Sequence, residues 1–71
     1  MNKMEPSEGD LVYVPSSVTL YYKDDHGSVK DYIKLNKPAS LLIASVKEKT
    51  YEVFYEGQKW LIGKDKTYEV L

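Results

Sequence analysis

The chain has no cysteine and no arginine, and it has a single histidine. Each absence removes a class of chemistry. Without cysteine there is no disulfide and no thiolate zinc site. One histidine, His26, does not build a nitrogen-rich metal site by itself. Without arginine the planar fork that grips phosphate and guanine in two places is missing. Long apolar runs are absent too, and no stretch reaches the length of a membrane-spanning helix. The opening MNKMEPSEGD has no apolar core and does not read as a signal peptide. These features predict a cytoplasmic protein.

What is present is aromatic and evenly charged. Seven tyrosines, one phenylalanine and one tryptophan stand in 71 residues. Ten lysines face eleven acidic residues, for a net charge of −1. A balanced surface lacks the single-sign field of a typical nucleic-acid binder. At this length a hydrophobic core supplies about 3–5 kcal/mol, and disulfides, metals or self-association usually add to it. With the first two excluded, aromatic packing and self-association remain.

The chain reads as a polar tail over residues 1–8 and one domain over 9–71. LVYV alternates two apolar sets, Leu11 with Tyr13 and Val12 with Val14. That pattern predicts a strand buried on both sides or lying near a barrel seam. SVTLYYK follows, with Val18, Leu20 and Tyr22 on one face. KDDHGS is a turn, and VKDYIKL is the returning arm of a hairpin. ASLLIASVKEK fits a strand over 41–46, with a short helix after Pro38 as the competing reading. TYEVFYE places Tyr51, Val53 and Tyr55 on one face and Glu52, Phe54 and Glu56 on the other. Glu-Gly-Gln then turns the chain, KWLI brings it back, and GKDK reads as a second tight turn or a single 3₁₀ turn. TYEVL closes the chain. Short strands separated by tight turns predict an all-β fold, a small, partly open barrel of SH3 or OB type with five or six short antiparallel strands.

YEVFYEGQKWLIGKDKTYEV resembles the distal half of SH3-like barrels, bacterial SH3 domains in particular. Val53, Gly57, Trp60, Ile62 and Val70 hold the places of that pattern. The resemblance implies an SH3-like barrel. It does not carry over the grip on proline-rich ligands, because WLIGKD lacks the proline and no ALYDY-like segment precedes it. In style the chain also resembles small accessory proteins of bacteriophages. Bacterial SH3 domains further suggest glycan or cell-wall binding, which the missing leader opposes.

Asp24, Asp25 and His26 form a local cluster that reads as a solvated hairpin tip rather than a metal site. Ser16, Ser17, Ser28, Ser40 and Ser45 would all have to share His26 as base. On a turn nothing fixes its tautomer or excludes water. The expectation is a protein that is not an enzyme and has no cofactor. The rings are too many for one small core, so some are partly exposed, either capping the barrel with their hydroxyls in water or serving as contact anchors. The final hairpin is the expected contact site: Phe54, Tyr55, Trp60 and Lys59, with Tyr21 beside them. The partner is another protein or a second copy of the chain, bound through this aromatic patch, an exposed strand edge, or both. An alternative is single-stranded nucleic-acid binding. It requires Lys47, Lys49, Lys59, Lys64 and Lys66 to line one groove beside Trp60 and Tyr55. Glu48, Glu52, Glu56 and Asp65, interspersed among those lysines, oppose it.

Overall fold

The computed structural model describes residues 5–69. Seven antiparallel strands form one sheet: β1 (Leu11–Val14), β2 (Thr19–Lys23), β3 (Val29–Lys34), β4 (Ala39–Val46), β5 (Thr50–Tyr55), β6 (Gln58–Gly63) and β7 (Tyr68–Glu69). A 3₁₀ turn, Lys64–Lys66, separates the last two. The order across the sheet is β3-β2-β6-β5-β4-β1-β7. The all-β expectation and the 3₁₀ turn hold, and the segment after Pro38 is a strand. The strand count is seven rather than five or six: each of the seven short segments forms its own strand, the last a two-residue strand paired with β1. Val70, placed in that closing strand, lies outside the described residues, as do Met1 to Met4 of the tail.

The sheet is open rather than a closed barrel. Among the described residues its outermost strands, β3 and β7, each have one strand neighbour. Yet it buries one continuous core. Val12 and Val14 from one end of the sheet share that core with Leu20 and Leu35 from the other, around Ile43, Val53 and Ile62. A single layer can bury one face in this way only by curling over it. Two ladder irregularities assist the bend. The β2–β3 register skips Lys30, and the β4–β5 register skips Ala44. An extra residue on one strand increases local twist and curvature.

The expectation that β1 is buried on both sides is corrected. Val12 and Val14 are fully buried, but Leu11 is 46 % exposed and Tyr13 39 %. The curled sheet covers only its inner face here.

The turn between β5 and β6 is two residues long. Tyr55 pairs with Gln58, so Gln58 belongs to the ladder and only Glu56 and Gly57 turn the chain. Both have positive φ, 51° and 77°. This is the backbone that two-residue hairpins require, and Asn-Gly suits it best. A glutamate there is strained, since only glycine, asparagine and aspartate visit this region readily. Glu56→Asn is expected to stabilise the protein by about 0.5–1 kcal/mol. A thermal melt checks this, and a lowered midpoint would refute the strain argument.

Tyr51 lies in the core at the opposite end of the same hairpin. Lys64 Nζ sits 5.4 Å from its ring centroid and 3.4 Å from Glu5 Oε1. Burial pushes the Tyr51 phenol above its ordinary value of 10.0, and the negative charges of Glu5 and Glu69 add to the shift. A phenol whose folded value exceeds its unfolded one gives full stability below the unfolded value. That stability declines as pH rises through the folded value. Denaturant melts are expected to weaken above about pH 10, and Tyr51→Phe is expected to flatten that decline. An unchanged slope in the variant would assign the alkaline loss elsewhere.

Candidate functional site

Cross-strand pairing decides which side chains share the outer face. Leu11 stands opposite Leu42, Leu42 opposite Phe54, and Phe54 opposite Lys59. These four residues form a row across β1, β4, β5 and β6. At about 4.8 Å per strand the row spans about 14 Å. Next to it, Tyr13 pairs with Tyr68, their ring centroids 6.3 Å apart. Eight large hydrophobic side chains are exposed among the described residues. Five of them, Leu11, Tyr13, Leu42, Phe54 and Tyr68, are contiguous on this face. Lys59 Nζ stands 6.0 Å from the Phe54 ring centroid and gives the patch a cationic border. Glu52 lies on the same face and accepts a hydrogen bond from Ser45 Oγ at 3.0 Å.

The five residues expected to make contacts are divided between two faces. Phe54 and Lys59 are outward and adjacent. Tyr21 is outward too, half-buried, opposite Leu61 on one side and Tyr32 on the other. Trp60 faces inward. It pairs with Val53 and is 8 % exposed, with its ring edge-on to Tyr22 at 5.2 Å. Its Nε1–H donates to the Tyr55 carbonyl at 3.3 Å. Tyr55 is half-buried on the same inner side and packs against the core. The reason is the turn. A three-residue Glu-Gly-Gln turn would set Trp60 opposite Phe54. The two-residue turn shifts the register by one and sends Trp60 to the other face.

Sequence reasoning counted Tyr68 among the surplus rings without placing it in the site, and it missed Leu11, Tyr13 and Leu42. Their signal was present in the doubled apolar sets of LVYV and in the Leu-Leu pair at 41–42. Both segments carry more apolar residues than one buried face needs.

The hairpin tip between β2 and β3 is an ordered turn. Asp24 Oδ1 accepts from the His26 amide at 2.9 Å and from the Ser28 amide at 3.1 Å. His26 is exposed there. Among the described residues no three metal-ligating side chains gather. No helix among them is long and apolar enough to cross a membrane.

The lysines named for the alternative reading separate into two places. Lys47 and Lys49 lie in the β4–β5 turn, and the Lys64 amide donates to the Lys49 carbonyl at 3.0 Å, which brings the 3₁₀ turn beside them. Lys59 lies near the opposite end of the β5–β6 hairpin, where Glu56 and Gly57 turn the chain. Trp60 offers no open ring face to a base.

A groove of about 420 Å³ opens where the β3–β4 connection meets the β5–β6 turn. Ile33, Pro38, Ala39 and Tyr55 line it, with Lys34, Lys37 and Glu56 at its border. Comparison of the chain with known families, with curated proteins and with solved structures finds no match.

Proposed function

We propose that this protein is a non-catalytic interaction module, a small accessory or regulatory subunit that binds another protein through its outer face. The observation that carries the reading is the contiguous row of Leu11, Leu42 and Phe54, flanked by the Tyr13–Tyr68 pair. These are apolar and aromatic side chains on a face the fold leaves uncovered. Contiguous exposed apolar surface rimmed by charge marks contact sites, and aromatic residues supply much of the binding energy at such sites. We read the fold as SH3-like. Its element order supports this: a short strand, a hairpin, a three-stranded meander, a 3₁₀ turn and a short closing strand.

The test is a paired measurement on the wild type and a Leu42→Lys/Phe54→Lys double variant. Both sites are exposed, so the fold should survive, as circular dichroism would show. Sedimentation equilibrium reads self-association, and affinity capture reads a protein partner. Association is expected to fall at least tenfold in the variant. A wild type that stays monomeric and captures nothing would refute the proposal. A short poly-dT strand in the same series separates the nucleic-acid reading. Binding that weakens steeply with salt would favour that reading instead.

A further inference from the structure

The geometry points to a second contact surface: the open edge of β3, with the groove beside it, receives an extended acidic segment of a partner protein as an added strand. Three observations converge on it. First, β3 ends the sheet and is six residues long, whereas β7 at the other end has two. The Tyr32 amide donates to its neighbour's carboxylate, Asp31 Oδ1, at 2.8 Å. That amide is therefore turned away from β2. Residues in an antiparallel ladder alternate in the side they bond, so Lys34 shares its orientation. The backbone groups of Tyr32 and Lys34 thus face the open side, where an added strand finds its main-chain partners.

Second, the edge has its own charge. Residues 29–38 hold Lys30, Lys34 and Lys37 against Asp31, a local +2. The remaining seven lysines and ten acids sum to −3. Lys34 and Tyr32 lie on the outer face, paired with Thr19 and Tyr21. Acidic side chains on a partner strand, opposite Lys34 and Lys30, would meet opposite charge across the ladder.

Third, the groove lies on the Ile33 side of the strand. A partner side chain opposite Ile33 points the same way, toward the apolar wall of Pro38, Ala39 and Tyr55. That side chain should be apolar where it meets Ile33, Pro38, Ala39 and the Tyr55 ring, with Asn36 and the charged border beside it.

A second copy of this chain is a poor occupant. Both five-residue registers that pair the strand with itself meet like charge: centring on Tyr32 sets Lys30 against Lys34 at both ends, and centring on Asp31 sets that carboxylate against its own copy. Asp31 adds a guard, since its carboxylate already occupies the Tyr32 amide. Charged side chains at a free edge oppose indiscriminate pairing. A specific partner displaces Asp31 and meets the lysines.

The test is a nitrogen-15 NMR titration of the full chain with a blocked peptide, Thr-Glu-Leu-Tyr-Thr-Glu-Thr. A version with both glutamates replaced by lysine is the control. The acidic peptide is expected to shift the Tyr32 and Lys34 amides together with Ala39 and Tyr55. The lysine peptide is expected to bind about tenfold more weakly or worse. Lys30→Glu/Lys34→Glu should reverse that preference, and Asp31→Asn should tighten the acidic peptide several-fold. Equal binding of both peptides, shifts confined to other strands, or no shifts at millimolar peptide would overturn the inference. So would a dimer of the protein alone that the Lys30→Glu/Lys34→Glu variant abolishes. The Leu42→Lys/Phe54→Lys variant should bind the acidic peptide as the wild type does, so this surface and the outer face stand or fall separately.

Discussion

Trp60→Ala is expected to leave the protein largely unfolded at room temperature. The indole is 8 % exposed and belongs to the buried core. Removing it deletes the edge-on contact with Tyr22 and the hydrogen bond to the Tyr55 carbonyl. Truncating a buried tryptophan costs about 3–5 kcal/mol. That equals the whole contribution a core of this size makes. Without disulfides, nothing covalent limits the loss. Trp60→Phe keeps most of the apolar volume and should cost less than half as much. Urea unfolding followed by circular dichroism reads both. If Trp60→Ala unfolds cooperatively at the wild-type midpoint, then Trp60 is a surface residue and the two-residue register of the hairpin is wrong.

The second large effect compares two neighbours on one strand. Ile43 is 1 % exposed and Leu42 is 41 % exposed. Ile43→Ala is expected to cost about 2–5 kcal/mol, the price of a buried cavity. Leu42→Ala should stay within about 0.5 kcal/mol, as exposed substitutions away from special features do. The same Leu42→Ala variant should weaken association through the outer face. Two adjacent aliphatic residues would thereby separate folding from binding. Equal destabilisation by both would mean that something covers the outer face at this point, and that Leu42 belongs to a core.

Much of the secondary structure was legible because its causes are local. Alternation in TLYYK and TYEVFY predicted strands, and β2 and β5 occupy those residues. Asp24 through Ser28 has the residues of a turn, and Asp24 closes that turn with two hydrogen bonds from backbone amides. GKDK has the spacing of one 3₁₀ turn and forms it. The contact surface was less legible. Alternation says which residues share a face and is silent on which face is covered. Even where one face carried charge, as with Glu52 and Glu56, the expectation put Tyr55 of the opposite face in the contact site, and the structure packs it against the core. Where both faces were apolar, as in LVYV and SLLI, the two choices were equivalent in sequence.

Trp60 shows how small the deciding feature can be. Reading Glu-Gly-Gln as the turn sets Trp60 beside Phe54. Taking Glu56-Gly57 as the turn pairs it with Val53, and one residue of register exchanges surface for core. The positive φ of a non-glycine residue at 56 is what permits the shorter turn, and composition alone gives no strong signal for it.

By itself the sequence determined the class: an all-β chain without cysteine or arginine, with short strands and local turns. Those properties follow from side-chain period, turn residues and the functional groups present, all of which act over a few residues. Only the tertiary structure decided that Leu11, Leu42 and Phe54 meet in one exposed row, that Trp60 is core, and that β3 ends the sheet. Those outcomes depend on register and on the direction in which the sheet curls. Both are set by the sum of distant contacts, because a strand that is apolar on both faces has no local reason to prefer either one.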